Sequence, residues 1–227
     1  MTSLRNTSRV LPLSLLVLAA PLLWVVPAMV HPVGEPYGGI EHETGRWLFV
    51  HLAQLVLAPF LAACVWMLLA GLESAAARLA RAALVVWLVF FSAFDAVAGI
   101  ATGVLSRHAN SLTGEEREGV VSAIDFLFDD SQLVGGGFSV LGNLGHGAWI
   151  VIAIAAAVAL HQARAPRAAV AATLLSVLFA SHSGLGAAVG LVAVFVAARV
   201  VVGTRSAAAT PSQPAEAALG TSGTQAA

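Results

Sequence analysis

The sequence predicts an all-α membrane protein, a polytopic bundle of six transmembrane helices with a short amphipathic helix on the outer side. The 227 residues are 59% hydrophobic and 10% charged, with a mean hydropathy of +0.88. Soluble domains are about 45–50% apolar and about 25% charged. The apolar residues also lie in runs of about 20, the length that a helix needs to cross a hydrocarbon core about 30 Å thick. Finally, the arginines are distributed unevenly among the loops between these runs.

The composition excludes several classes of protein. Cys64 is the only cysteine, so no intrachain disulfide can form. A net charge of −1 and a pI near 6.6 give no basic surface for nucleic acid, and the lipid bilayer is the partner that we expect. The chain has no lysine and many alanines, a usage typical of GC-rich bacterial genomes, which favours a bacterial inner membrane.

Six apolar runs define the predicted spans. The fifth is short and is separated from the sixth only by residues 181–184, which we expect to form a tight turn. A single helix over 168–202 would reach about 52 Å, too long for even a strongly tilted span. The predicted spans are 10–30, 47–70, 82–105, 138–160, 168–181 and 185–202, within a transmembrane domain that covers 1–205.

The arginines predict the orientation of these spans. If the N-terminus is inside, eight arginines fall on the cytoplasmic side and three on the outer side, as the positive-inside rule describes. Both termini are then cytoplasmic. The inner arginines are Arg5, Arg9, Arg78, Arg81, Arg164, Arg167, Arg199 and Arg205, and the outer ones are Arg46, Arg107 and Arg117.

The two ends of the chain carry further predictions. Residues 26–28, Val-Pro-Ala, resemble the cleavage site of a signal peptide, but the proline fits such a site poorly. The apolar run before them also exceeds the usual signal length of about 7–15 residues, so we expect a retained first helix. Segment 206–227 is rich in Ala, Thr, Ser, Gly and Gln and cannot bury a core, which predicts a disordered cytoplasmic tail.

Two outer loops connect the spans. The first, 31–46, is rich in glycine and proline, which favours irregular structure. In the second, Thr113 and Glu116 fit a capping box, and apolar residues follow at helical spacing. We therefore expect an amphipathic helix over 114–130. Its polar face is acidic, whereas helices that adsorb to membranes are usually basic, so we expect it to cap the bundle.

Asp95 is the strongest functional candidate, because ionisable groups at membrane depth cost about 2.5–3.5 kcal/mol and usually face the protein interior. The residues that continue its helix face are small or polar: Gly99, Thr102, Gly103 and Ser106. This stripe predicts that Asp95 points into the bundle and that another helix approaches closely. The alternative is an aspartate that only stabilises packing.

His146 is the predicted partner of Asp95. Each residue lies roughly 12–15 Å from the outer end of its span, so the two side chains can share a level. A neighbouring carboxylate would favour the imidazolium form of His146, while burial would oppose it. Asn143 lies one turn before His146. The alternative is a core histidine bonded to a backbone carbonyl.

Two further histidines lie near the outer boundary. His51 is about one turn into the second span with Gln54 on the same face, and His182 lies in the turn between the last two spans. Histidines near the interface are less costly to place, so both are also compatible with a structural role. The candidate site comprises Asp95, His146, Asn143, His51, Gln54 and His182, and the outer loops add His31, Glu41, His42, Glu43 and His108.

Three functions fit this pattern. We favour a small transporter or other proton-linked protein in which Asp95 and His146 bind a proton. The second is a haem- or metal-binding redox protein or hydrolase, since imidazole and carboxylate suit such centres. However, no span carries His-x-x-x-His or Glu-x-x-His, so the spacing identifies no metal ligand, cofactor or catalytic residue. The third is a structural or regulatory protein without chemistry.

Two pairs of glycines have the small-xxx-small spacing that brings helices close together. They are Gly99 with Gly103 and Gly186 with Gly190. Such faces pack helices within one chain or between two copies, and the second arrangement would give a homodimer.

Overall fold

The computed structural model describes residues 7–32, 36–130, 132–134 and 139–209. Helices account for nearly all of these residues, and no strand occurs among them. The α-helices are α1 (Thr7–Met29), α2 (Pro36–Ile40), α3 (Thr44–Leu68), α4 (Ala75–Phe94), α5 (Thr102–Ala109), α6 (Gly114–Asp125), α7 (Val140–Gln162), α8 (Arg167–Leu175) and α9 (Gly184–Ala209). Two π-helical segments, Asp95–Ala101 and Phe126–Asp130, continue α4 and α6, and a 3₁₀ segment, Ser176–Ser181, continues α8. The all-helical prediction is confirmed.

The long helices, with their π and 3₁₀ continuations, pack side by side as a closed ring of six. In this ring α1 packs between α3 and α9, α8 packs between α9 and α7, and α7 lies along α4. The first π segment and α5 close the ring against α3. One end of the bundle, here called the cap end, carries residues 30–32, 36–43, 110–130, 132–134 and 182–183. The opposite end carries the short connections 69–74 and 163–166.

Four helical runs are long and apolar enough to cross a membrane, which supports a membrane protein. They are Thr44–Leu68, Ala75–Ala109, Val140–Gln162 and Gly184–Arg205. The first and fifth predicted spans correspond to shorter apolar helices, Ser14–Met29 and Arg167–Ser181. By length and composition, therefore, four of the six predicted spans qualify among the described residues.

The connections differ in detail from the sequence predictions. The first loop is not wholly irregular, because residues 36–40 form α2 and α3 begins at Thr44. The amphipathic helix has its predicted bounds, although its last turn is π-helical and the Thr113 side chain makes no capping hydrogen bond. Residues 206–209 belong to α9 rather than to the predicted tail, and 210–227 lie outside the described residues.

Glycines allow the close contacts that the sequence predicted, and they do so within the chain. A Cβ at Gly103 would lie 2.7 Å from side-chain atoms of Leu48 and Trp47, so α5 and α3 touch at this point. Gly190 of α9 packs in the same way against Phe179 of the 3₁₀ segment. The predicted small-residue faces are therefore used largely inside one molecule.

The centre of the bundle is aromatic. Trp24, Trp87, Phe91, Trp149 and Phe179 are buried, and each ring lies within 6.3 Å, centroid to centroid, of at least two of the others. Trp149 also donates its Nε1–H to the carbonyl of Ser176 at 2.8 Å, which fixes the 3₁₀ segment against α7. We call these five residues the aromatic floor, because they close the bundle below the histidines described next.

Replacing Gly190 with alanine is expected to destabilise the fold by about 1–3 kcal/mol, the usual cost of overpacking. The new methyl group would lie 2.9 Å from Cβ and 3.0 Å from Cα of Phe179, and that backbone cannot yield easily. Gly203→Ala in the same helix meets no atom within 4 Å and is the matched control. Thermal unfolding of both variants in one detergent tests this, and equal unfolding temperatures would contradict the contact.

Candidate functional site

The site is built around the point where α4 changes into the first π segment. Asp95 is the first residue of that segment and is 1% exposed. Short π segments inside α-helices are frequent at functional sites. The carbonyl of Gly99 in this segment accepts the backbone N–H of Thr102 and also the Nε1–H of Trp47, the latter at 2.6 Å. This bond ties α3 to the segment that carries Asp95.

Asp95 pairs with His51 of α3. Its Oδ1 lies 2.7 Å from Nδ1 of His51, and both side chains are almost fully buried. Gly99 makes this pair possible, because a Cβ at that position would overlap the imidazole ring of His51. Trp47, His51 and Gln54 share one buried face of α3, as their spacing along the helix requires.

The predicted pair of Asp95 with His146 is replaced by two separate pairs. His146 of α7 instead contacts His182, with Nε2 of the first 3.1 Å from Nδ1 of the second. Their rings are stacked, with centroids 5.1 Å apart. The physical reason is the order of helices around the ring, since α3 is the neighbour of the π segment while α7 faces α4 and α8.

His31 joins the two pairs and was not among the main candidates. It follows α1, and its ring centroid lies 5.0 Å from that of His51 and 5.4 Å from that of His182. Its Nδ1 contacts the carbonyl of Pro32 at 2.6 Å. We call His31, His51, His146 and His182 the histidine cluster. A loop histidine gives no helical periodicity, so only its position next to the first span could have identified it.

The other predicted residues lie around this cluster. Gln54 is fully buried and its Nε2 donates to the carbonyl of His182 at 3.5 Å. Asn143 lies on the exposed side of α7, three residues before His146. His42 and His108 are both exposed, the latter in the last turn of α5 rather than in a loop, and Nε2 of His42 lies 2.9 Å from Oε1 of Glu41.

Several polar atoms of the site are buried without a hydrogen-bond partner among the described residues. These atoms are His31 Nε2, His51 Nε2, Gln54 Oε1 and Asp95 Oδ2. Buried polar groups in folded proteins are satisfied in the great majority of cases, so four such atoms in one cluster mark a place of chemical interest. Imidazole nitrogens with an anchored opposite nitrogen are typical of both proton transfer and metal binding.

The site is closed on both sides. Phe91 and Phe94 lie below His182, with ring centroids 6.2 and 6.0 Å from its own. On the cap side the ring of Trp47 lies 4.5 Å from that of His51, and Phe128 of the second π segment lies 6.4 Å from Trp47. Within the described part of the chain, no three His, Cys, Asp or Glu side chains converge in a way that could hold a metal ion.

Burial lowers the pKa of the two histidines that lie outside the helices. The pKa of His31 falls to about 4, first because burial disfavours its charged form and second because His51 is close. Burial and the neighbouring histidines His146, His31 and His51 hold the pKa of His182 well below its usual range. Both rings are therefore neutral at pH 7.

No protein-family model, curated protein or solved structure matches this chain. The interpretation of the site therefore depends on its own geometry.

These lowered pKa values predict that the fold loses stability in acid. Above pH 6.5 a histidine with a lowered pKa is neutral in both the folded and the unfolded chain, so it does not change the free energy of unfolding. Below pH 6.5 the histidine binds a proton in the unfolded chain but not in the folded chain, which lowers the free energy of unfolding. The unfolding temperature should therefore fall as the pH decreases from about 6.5 towards 4, and His31→Gln should reduce that fall. An exposed control, His108→Gln, should keep the full dependence, and identical curves for all three proteins would contradict the expectation.

Proposed function

We propose that this chain is a polytopic membrane protein whose Asp95–His51 pair takes up and releases a proton, as a small transporter or another proton-linked protein. The observation that carries the proposal is the 2.7 Å contact of these two buried groups on apolar helices. A carboxyl group at membrane depth is costly and is usually retained for ion or proton movement.

The pair has two electrically neutral forms. In one, Asp95 is protonated and His51 is neutral; in the other, Asp95 is a carboxylate and His51 is imidazolium. Loss of one proton leaves a net charge of −1, which is expensive to bury, so protonation of the pair is coupled to its surroundings. A purely structural pair would be expected to satisfy its polar atoms, whereas Asp95 Oδ2 and His51 Nε2 have no partner among the described residues.

The closed position of the site also favours transport. Trp47 covers the pair on the cap side and the aromatic floor closes the bundle beneath it. Transporters that work by alternating access bind their substrate near the middle of the membrane and expose it to one side at a time. In such a cycle we assign the described conformation to the enclosed state.

We further propose six spans, with both termini in the cytoplasm of a bacterium and the cap end outside. The helix α1 has 23 residues and reaches about 34 Å at about 1.5 Å per residue. Helix α8 with its 3₁₀ continuation reaches about 25 Å, because a 3₁₀ helix rises about 2.0 Å per residue. Both lengths approach the hydrocarbon thickness of about 30 Å. A homodimer would have to use faces other than Gly99, Gly103 and Gly190, which pack inside the chain.

The second candidate, a haem or metal protein, has one specific observation in its favour. Nε2 of His31 and Nε2 of His51 are both buried without partners, while the opposite nitrogens contact Pro32 and Asp95. A carboxylate behind a histidine is a common second-shell arrangement at metal sites. Against it, the described side chains do not converge on a metal position.

Labelling with a membrane-impermeant maleimide tests the proposed topology in intact cells. In a Cys64→Ala background, Ser111→Cys at the cap end should be labelled and Gln162→Cys at the opposite end should not. Both positions are exposed, so the difference reports the side of the membrane rather than burial. The reverse pattern, or labelling of both, would overturn the orientation or the number of spans.

Replacing Asp95 with asparagine should abolish proton binding at the site. In liposomes that contain a pH-sensitive dye, proton uptake should fall by about tenfold or more, since acid–base groups typically contribute about 10²–10⁴-fold. The infrared band of a buried protonated carboxyl group should disappear in the same variant. Glu118→Gln on the exposed face of α6 is the control.

Two outcomes would contradict that expectation. Equal proton uptake by Asp95→Asn and the wild type would remove Asp95 from the function. A haem absorption band or a stoichiometric metal ion that is lost in His51→Ala but kept in His108→Ala would replace the proton proposal with the metal one.

A further inference from the structure

We propose that His31 is the group through which the Asp95–His51 pair exchanges its proton with the solution at the cap end. The inference rests on the proposed function and adds a residue and a route to it. It starts from the two unpartnered ring nitrogens on the neighbouring side chains His31 and His51.

The hydrogen bond of His31 determines which of its nitrogens can receive a proton. Its Nδ1 lies 2.6 Å from the carbonyl oxygen of Pro32. A carbonyl oxygen can only accept, so Nδ1 must carry the hydrogen. In a neutral ring the other nitrogen then has a free lone pair. His31 Nε2 is therefore a buried proton acceptor with no described partner.

The same reasoning makes His51 the donor. In both neutral forms of its pair with Asp95, one hydrogen lies between Oδ1 and Nδ1, bonded to Oδ1 in the first form and to Nδ1 in the second, and Nε2 carries another hydrogen. His51 Nε2 is thus a buried donor without a described partner. A donor and an acceptor without partners lie on rings whose centroids are 5.0 Å apart, at an angle of 80°.

The transfer itself is a balanced proton relay. The Nε2–H bond of His51 breaks, a bridging water molecule takes this proton and gives another to His31 Nε2, and the pair is left with a charge of −1. His31, now an imidazolium, releases its Nδ1 proton to water at the cap end as the hydrogen bond to the Pro32 carbonyl opens, and a turn of the ring then brings the remaining N–H back to that carbonyl. Uptake follows the same steps in reverse. Bridging by one water molecule is common between polar groups that are too far apart for a direct hydrogen bond.

The surroundings of His31 suit a carrier that passes protons without storing them. The groups that face it are His51 from α3, His182 from the turn before α9, and the uncharged ring of Trp47. No carboxylate of the described residues forms an ion pair with His31 to hold it in the charged form. Burial lowers its pKa to about 4, so a proton that arrives is released quickly.

The other histidine pair is a less suitable route. Nδ1 of His182 contacts Nε2 of His146, so one of these nitrogens donates to the other and the contact is already satisfied. His182 also lies 5.4 Å from His31, centroid to centroid, without a contact to Asp95 among the described hydrogen bonds. The relay therefore reaches the cap end through His31.

The experiment measures how fast Asp95 is protonated after a step in the external pH. The full-length protein is reconstituted in liposomes, and the carboxyl band of Asp95 is followed by time-resolved infrared spectroscopy. His31→Gln keeps a hydrogen-bonding side chain but cannot carry a proton. We expect it to slow the protonation of Asp95 at least about tenfold with the final extent unchanged, while His108→Gln reacts at the wild-type rate.

A second variant separates a proton carrier from a merely structural residue. His31→Ala should be slow, and imidazole added outside the vesicles should restore its rate by entering the space left by the ring. Wild-type rates in His31→Gln, or a slow His31→Ala that imidazole does not restore, would overturn the assignment of His31. If Asp95 does not change its protonation in the wild type, the proposed function fails and the inference fails with it.

Discussion

The burial of the Asp95 carboxyl group among apolar helices is the constraint on which the rest of the site depends. A carboxyl group at membrane depth costs about 2.5–3.5 kcal/mol, so it must find a partner inside the bundle. His51 supplies that partner at 2.7 Å. The contact in turn requires a glycine at position 99, because any side chain there would occupy the space of the imidazole ring.

The first π segment begins at Asp95 itself. Short π segments inside α-helices are rare overall but frequent at functional sites. Here the carbonyl of Gly99 accepts the Nε1–H of Trp47 in addition to the backbone N–H of Thr102, so the residue that covers the site on the cap side also fixes the backbone behind Asp95. The π segment therefore positions Asp95, leaves space at Gly99 for the ring of His51 and binds Trp47, which covers the site.

The sequence predicts the parts of this arrangement that depend on one helix at a time. Hydropathy gives the helices, and the spacing of Gly99 and Gly103 gives the face that packs closely. It does not identify His51 as the partner of Asp95, because depth along the spans favours His146, whereas the pairing depends on which helices are neighbours. The sequence does not identify His31 as a member of the site for another reason. A histidine in a glycine- and proline-rich loop has no helical periodicity and is therefore interpreted as a solvent-exposed residue.

The position of His31 also links the site to the motion of a whole helix. Among the described ring contacts it is the histidine that touches both His51 and His182, and it directly follows α1. Helix α1 packs against α3, which carries His51, and against α9, which begins next to His182. A shift of α1 relative to α3 and α9 would therefore change the distance between the donor nitrogen of His51 and the acceptor nitrogen of His31 before a proton is transferred. Proton exchange at the cap end would then depend on the packing of α1, which is the coupling that a proton-linked transporter requires between a binding event and a conformational change.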